Sequence, residues 1–399
     1  MKGERVMKNR YNLSFKLFYF MYLGAIGAFM PYINVYLEKS AGLSGSQIGL
    51  ITALSLVFGF CVIPVWGVVG DKTKRYNALL KFSIAGALVM VALYWKAATY
   101  PMIILCAIGL EMIRLGTMPM ADTLATNYCH ESGSNYGSIR AMGSLGYMLV
   151  SMMVGFLADK FGLDGTIFAS YAFLLLITIP ICFGLPRDSK VGEGEKADKV
   201  QKGSFKELVT NRKYIFILII TILTTVIVDS SMSYAGNHLV STLGASESSI
   251  SWLTFVMVLP EVLFLMVAIK FINRLGFKKF YILAVASMIL RFGVYSLIEN
   301  EYAFLAVSVV HCLGVSVVTV GNLTFIKNSV NSAVLGTAIT LFNAAISIGR
   351  AVFGYIFGVV YEYGNSYMIF MIAVGAFIIA LIILSRTKNF DGIGINKAQ

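Results

Sequence analysis

Long apolar runs alternate with short polar connections along the whole chain. Twelve runs are long enough to cross a bilayer as helices. The first six lie at about 15–37, 47–70, 78–96, 101–128, 138–158 and 165–185. Beyond a polar stretch follow about 213–238, 249–271, 280–298, 302–326, 337–360 and 365–385. Each approaches the roughly 20 apolar residues that a helix needs to span hydrocarbon, and charges or turn residues bound it. The pattern predicts an all-α membrane protein of 12 transmembrane helices. Residues 187–212 are rich in Gly, Lys, Glu and Asp and read as a solvated linker between two six-helix halves, 1–186 and 213–399.

Composition agrees and excludes other classes. Hydrophobic residues make up 58% of the 399 and charged residues only 13%, about half the charged share of a soluble domain. That excludes a cytosolic enzyme, a secreted disulfide scaffold and a nucleic-acid binder with one membrane anchor. The first apolar run is too long for a signal peptide and ends in no small-residue cleavage site, so it reads as a retained helix. The five cysteines, Cys61, Cys106, Cys129, Cys182 and Cys312, show no paired spacing, and neither a metal nor a disulfide is expected.

The charges orient the chain. Of 32 Lys+Arg, 25 fall in the two tails and the even-numbered connections, 3 (Lys39, Lys96, Lys160) on the opposite side and 4 within spans. This positive-inside bias predicts a multi-pass protein of the cell membrane with both termini cytoplasmic. The net charge of +12 is then a matter of topology, and no nucleic-acid partner is expected.

A repeat supports the two halves. The second span ends Gly67-Val-Val-Gly-Asp71-Lys72-Thr73-Lys74-Arg75, and the eighth ends Asn273-Arg274-Leu275-Gly276-Phe277-Lys278-Lys279; Asp71 and Asn273 are 202 residues apart. The fifth ends Gly155-Phe-Leu-Ala-Asp159 and the eleventh Gly358-Val-Val-Tyr-Glu362, at an offset of 203. Parallel halves built of inverted three-helix units are a recurring transporter architecture.

Twelve spans, a central loop and Gly67-x-x-x-Asp71-Lys72-x-x-Arg75 resemble the major facilitator superfamily and its signature between spans 2 and 3. The resemblance implies the two-half major facilitator fold and transport by alternating access. It departs at Lys74, where the signature has Gly, and at Asn273, where the second copy has Asp. In the signature, Gly67 admits a close helix contact, while Asp71 pairs with loop cations such as Arg75 or with a helix N-terminus in one conformation. A plain helix stop is the competing reading.

Nine ionisable residues lie inside the spans: Glu111, Asp122, Asp229 and Glu261, Arg114, Arg140, Arg291 and Arg350, and His311. Each charge at mid-bilayer costs roughly 2.5–3.5 kcal/mol, so these groups must pair, neutralise or line a watery cavity. Four acids against four arginines favour paired networks. Glu111 and Arg114, three apart, face each other as a local pair if helical. Asp122 and Arg140 read either as an interfacial pair or as substrate contacts.

The run Asp122…Tyr136-Gly137-Ser-Ile-Arg140-Ala-Met-Gly143-Ser144-Leu-Gly146-Tyr147 resembles the lactose permease branch. That resemblance implies that Asp122 and Arg140 engage solute hydroxyls, that Tyr147 stacks on a ring, and that Ser144 lies beside them. Arg291 and His311 match the arginine and histidine of that branch's coupling network. The branch's carboxylate three residues beyond the histidine is Gly314 here, and the expected lysine partner of Asp229 is Ile346, with Arg350 one turn on. These departures are more similar to the 3-phenylpropionate transporter-like and nucleoside:proton symporter relatives.

The expected function is therefore secondary active, proton-coupled symport of a small polar organic solute such as a sugar, oligosaccharide or nucleoside. Uptake of an aromatic carboxylate, or export by antiport, is the alternative. Proton coupling is expected at Glu261, Arg291 and His311. Substrate contacts are expected at Asp122, Arg140, Ser144 and Tyr147. Gating or structural pairs are expected among Gly67, Asp71 and Arg75, between Asp229 and Arg350, and between Glu111 and Arg114. No phosphate-binding glycine loop and no H-E-x-x-H is present, so neither an ATP-driven pump nor an enzyme is expected, and no cofactor. The expected partners are substrate, protons and the lipid bilayer, with the protein acting as a monomer.

Overall fold

The computed structural model of the protein describes residues 2–186, 208, 210–316, 321–331 and 334–387, the side chains of 2–9, 266, 269, 273, 315, 316, 323 and 324 excepted. Most of the expected linker 187–212, with its lysines, lies outside the described residues. So do Lys388 and Lys397, and the side chain of Asn273. Every regular element among the described residues is helical. Among the described residues eleven helices are long and apolar enough to cross a membrane, and the tenth expected span, part of which is not described, is not one of them.

The chain divides into two compact units, Met1–Gly194 with Ala245–Phe255, and Glu195–Gly244 with Val256–Gln399. The first unit contains α1 (Lys2–Phe29), α2 (Ile33–Lys39), α3 (Gly45–Thr73), α4 (Tyr76–Trp95), α5 (Tyr100–Ser132), α6 (Tyr136–Phe161) and α7 (Leu163–Cys182). Caps set the boundaries. Ser44 and Gln47 form a reciprocal capping box at the start of α3. The Asn135 carboxamide accepts from the Ser138 amide at the start of α6. Buried Phe15, Phe18, Tyr19, Tyr22, Phe29, Tyr94, Phe168 and Tyr171 form its aromatic core.

α1 and α6 meet backbone to backbone. A Cβ at Gly146 would stand 2.1 Å from the Phe20 carbonyl oxygen, and one at Gly27 would stand 2.4 Å from that of Tyr147. Only glycine allows that approach, the small-residue packing that replaces hydrophobic association within lipid. Ala245–Phe255 belongs to this unit through polar contacts. The Ser248 amide donates to Asp159 at 3.0 Å, and the Tyr32 and Ser251 hydroxyls meet at 2.7 Å, where Gly155 leaves room for Ser251.

The second unit is more broken. Its first span runs through α8 (Arg212–Thr221), a π-helical turn at Ile222–Val226 and α9 (Ile227–Met232), then α10 (Ala235–Asn237) and a second π turn at His238–Thr242. α11 (Ser248–Leu275) enters the unit at Val256, followed by α12 (Phe277–Leu297). The expected helix over 302–326 is not continuous. It comprises α13 (Glu301–Val307), a 3-10 turn at Ser308–Val310, α14 (His311–Ser316) and, past four undescribed residues, α15 (Asn322–Ser329). α16 (Leu335–Tyr363) and α17 (Ser366–Arg386) complete it.

Hydroxyl side chains mark the breaks. Thr221 and Thr224 donate to the carbonyls of Ile217 and Ile220, each at 2.7 Å, and Ser308 donates to that of Phe304 at 2.7 Å. A hydroxyl on the i−4 carbonyl competes with the helical amide and favours a local change of pitch. In both units, large apolar side chains such as Phe82, Leu105, Phe173, Leu263 and Leu290 lie exposed, the surface that a lipid-embedded protein presents.

Candidate functional site

In the first unit Glu111, Arg114 and Asp122 have hydrogen-bonded partners, and Arg140 has an aromatic one. The Arg114 guanidinium donates to Glu111 through Nε at 2.8 Å and through Nη2, a two-point pair along one face of α5. Asp122, on the same helix, does not pair with Arg140. Its carboxylate accepts from the hydroxyls of Tyr19 at 2.5 Å and Tyr136 at 2.8 Å. Arg140 instead lies 5.7 Å from the Tyr19 ring centroid, a cation–π contact. Where one reading expects an interfacial pair, two phenols stand at the carboxylate instead, Tyr19 from α1 and Tyr136 from α6. Ser144 and Tyr147 are half-buried on α6.

The motif between the second and third spans also differs from expectation. Asp71 accepts a hydrogen bond from Tyr76 at 2.5 Å and makes no ion pair with Arg75 among the described residues; Arg75 is exposed. Gly67 is exposed too, with open space where a Cβ would stand. The close approach falls at Gly70, where a Cβ would meet the Tyr76 ring at 2.7 Å. The expected Gly67 contact and Asp71–Arg75 pairing are therefore absent from this structure.

The second unit gathers its charges around a cavity of about 220 Å³ lined by Thr225, Val228, Asp229, Ser287, Met288, Arg291, Val310, His311, Gly314 and Arg350. Its walls include both interrupted spans. Thr225 stands in the first π turn, Asp229 just after it, and His311 directly follows the 3-10 turn. Asp229 and Arg350, 121 residues apart, are joined through Nε at 2.8 Å and Nη2 at 2.5 Å.

Arg291, from α12, is only 2% exposed. Its Nε donates to the Tyr295 hydroxyl at 2.7 Å and its Nη1 to His311 Nδ1 at 2.8 Å. Its Nη2 faces the sulfurs of Met232 at 3.2 Å and Met257 at 3.1 Å. A guanidinium only donates, so His311 Nδ1 must accept and the imidazole proton sits on Nε2. That nitrogen lies 3.7 Å from Glu261 Oε2. The order Glu261–His311–Arg291–Tyr295 is continued by Ser308, whose hydroxyl meets that of Tyr295 at 2.5 Å.

Sequence reasoning missed Tyr19 as a partner of Asp122, and it missed Tyr295, Met232 and Met257 around Arg291. The last three carry only one local signal, the i, i+4 spacing of Arg291 and Tyr295. A polar contact within the second unit was missed as well: the Asn322 amide donates to the Thr221 hydroxyl at 3.1 Å.

A many-helix membrane protein with ion-paired and relayed charges inside its spans has the architecture of a secondary transporter. The chain belongs to the MFS_1 like family, whose model matches residues 12–372; these are transporters of the major facilitator superfamily and not enzymes. It is 26% identical over 385 residues to the maltose permease of Geobacillus stearothermophilus, covering 95% of each chain. It is 22% identical to the probable 3-phenylpropionic acid transporter of Escherichia coli (strain K12), covering 86% of this chain and 90% of that one. Among solved structures, the nucleoside transporter NupG superposes with a TM-score of 0.84 at 15% identity, over 94% of this chain and 98% of that one. That likeness shows the fold.

Proposed function

We propose that the protein imports a small polar organic solute together with a proton, by alternating access. The observation that carries this reading is the line Glu261–His311–Arg291 beside the cavity. A carboxyl's proton affinity depends on its burial and on its distance from cations. A shift of Glu261 relative to the His311–Arg291 pair therefore links protonation to conformation. Asp229 and Arg350 act as a pair whose breaking gates the cavity, and Glu111–Arg114 as a structural lock. Residues 1–186 and 213–399 are the two moving halves, joined by 187–212. Both termini are cytoplasmic in a cell-membrane monomer, as the distribution of basic residues supports. The likenesses to a maltose permease and to NupG support a sugar, oligosaccharide or nucleoside as the solute, met in the first unit by Asp122, Arg140, Ser144 and Tyr147.

The test is proton movement in proteoliposomes on adding solutes one at a time. Symport requires alkalinisation outside the vesicle with one solute class. Glu261→Gln should abolish that signal and accumulation, by at least about 100-fold, while exchange of labelled for unlabelled solute continues. Acidification outside on solute entry, or uptake with no proton signal, would replace symport with antiport or facilitated diffusion.

A further inference from the structure

The two arginines of the second-unit cavity are unlike. Arg350 has a carboxylate, Asp229, at 2.5 Å. Arg291 is the more deeply buried, yet among the described residues no carboxylate stands within ion-pair distance of it. Every acceptor around it is neutral: a phenol, an imidazole and two thioethers. A buried cation with neutral partners keeps most of its desolvation cost. Thioether sulfur is also a weak acceptor, which a carboxylate oxygen readily displaces from a guanidinium edge.

The nearest acid, Glu261, stands behind the His311 ring. The charged and titratable groups around the cavity are Arg291, His311, Asp229 and Arg350, with Glu261, Tyr295 and Cys312 behind them. With Glu261 ionised their charges sum to zero, because Asp229 cancels Arg350 and Glu261 cancels Arg291. With Glu261 protonated, one positive charge is left over, at Arg291. An anion seated there restores neutrality in the state that also holds the proton.

We propose that the solute carried with the proton bears a carboxylate, and that Arg291 holds it in this cavity. The solute is a small organic monocarboxylate, sugar acids included. This rests on the symport half of that reading, keeps the proton and puts an acid in place of the neutral sugar or nucleoside. Proton and anion each raise the other's affinity, since linkage between two sites is reciprocal, and the loaded carrier moves no net charge.

The experiment uses the full chain and pairs of compounds alike except for the carboxylate: glucuronate against glucose, and 3-phenylpropionate against 3-phenylpropanol, with maltose and uridine beside them. Binding is measured calorimetrically on purified protein. Uptake is measured in proteoliposomes with an internal pH dye, after subtraction of protein-free vesicles. The expected result is a carboxylate bound at least about 30-fold more tightly than its neutral twin, with uptake driven by a pH gradient and indifferent to membrane potential. Arg291→Gln should erase that preference and Arg291→Lys keep part of it. Glu261→Gln, which imitates the protonated acid, should bind the carboxylate at least as well as wild type, without pH dependence. Glu261→Gln keeps the proposal testable even if the Arg291 variants fail to fold.

Proton-coupled uptake of glucose, maltose or uridine, with no response to either acid, overturns the carboxylate and leaves symport standing. A carboxylate bound at Arg291 but carried without protons overturns symport and leaves the anion site. Carboxylate binding unchanged in Arg291→Gln, or no binding by any compound, overturns the proposal.

Discussion

The two units solve the same problem, charge inside a bilayer, in opposite ways. In the first, both membrane acids accept hydrogen bonds: Glu111 from Arg114 on its own helix, Asp122 from Tyr19 and Tyr136 on two others. Its helices are long and regular, and two of them touch through glycines. In the second, two spans are interrupted where they meet the charges, and those charges face a cavity where one cation, Arg291, touches no carboxylate among the described residues. Paired charges lock a scaffold, whereas a charge short of its partner stays available to a proton or a ligand. The Glu111–Arg114 pair of the first unit reads as frame, and the charges around the second unit's cavity as the proton-handling part.

That division is open to attack by substitution, most severely at the frame's own lock. Glu111→Gln strands Arg114 among buried neighbours. It should lower stability by about 3–5 kcal/mol, seen as a large drop in the thermal midpoint in detergent, and Glu111→Gln with Arg114→Gln should recover much of it. Next comes the glycine contact. Gly146→Ala drives a methyl group into the Phe20 carbonyl, and overpacking of this kind costs about 1–3 kcal/mol, read by the same melt. Arg291→Met should act in the reverse sense, leaving the melt unchanged or raising it by about 1 kcal/mol as a buried cation is removed, while proton-coupled uptake is lost. A fall as deep as that of Glu111→Gln would make Arg291 part of the frame and erase the contrast. The smallest effect is expected at Gly67. Gly67→Ala meets open space on an exposed helix face and gains helix propensity, so stability should hold or rise by less than about 1 kcal/mol. Lost transport with an intact melt would place the tight contact of Gly67 in a different conformation.

The spans were legible because hydropathy over 20 residues leaves little choice. The Glu111–Arg114 pair was legible because three residues of helix put both on one side. The interruptions were not. Neither Pro nor Gly marks Ile222–Val226 or Ser308–Val310, and the hydroxyls that take i−4 carbonyls there do the same in unbroken helices, as Thr178 does to Leu174. Asp122 and Arg140 read as an interfacial pair from their places at adjoining helix ends, or as substrate contacts through resemblance, and nothing local points to Tyr19, 103 residues before Asp122. The Asp229–Arg350 contact was visible only through resemblance, since no local rule joins residues 121 apart.

The two sulfurs on the edge of Arg291 give the carrier a chemical vulnerability. Oxidation of Met232 or Met257 to the sulfoxide exchanges a weak acceptor for a strongly polar S=O oxygen held against the guanidinium. An oxidised side chain would then sit where the proposed anion binds, a tethered competitor, so peroxide treatment should weaken carboxylate binding in wild type and spare a variant with Met232→Leu and Met257→Leu.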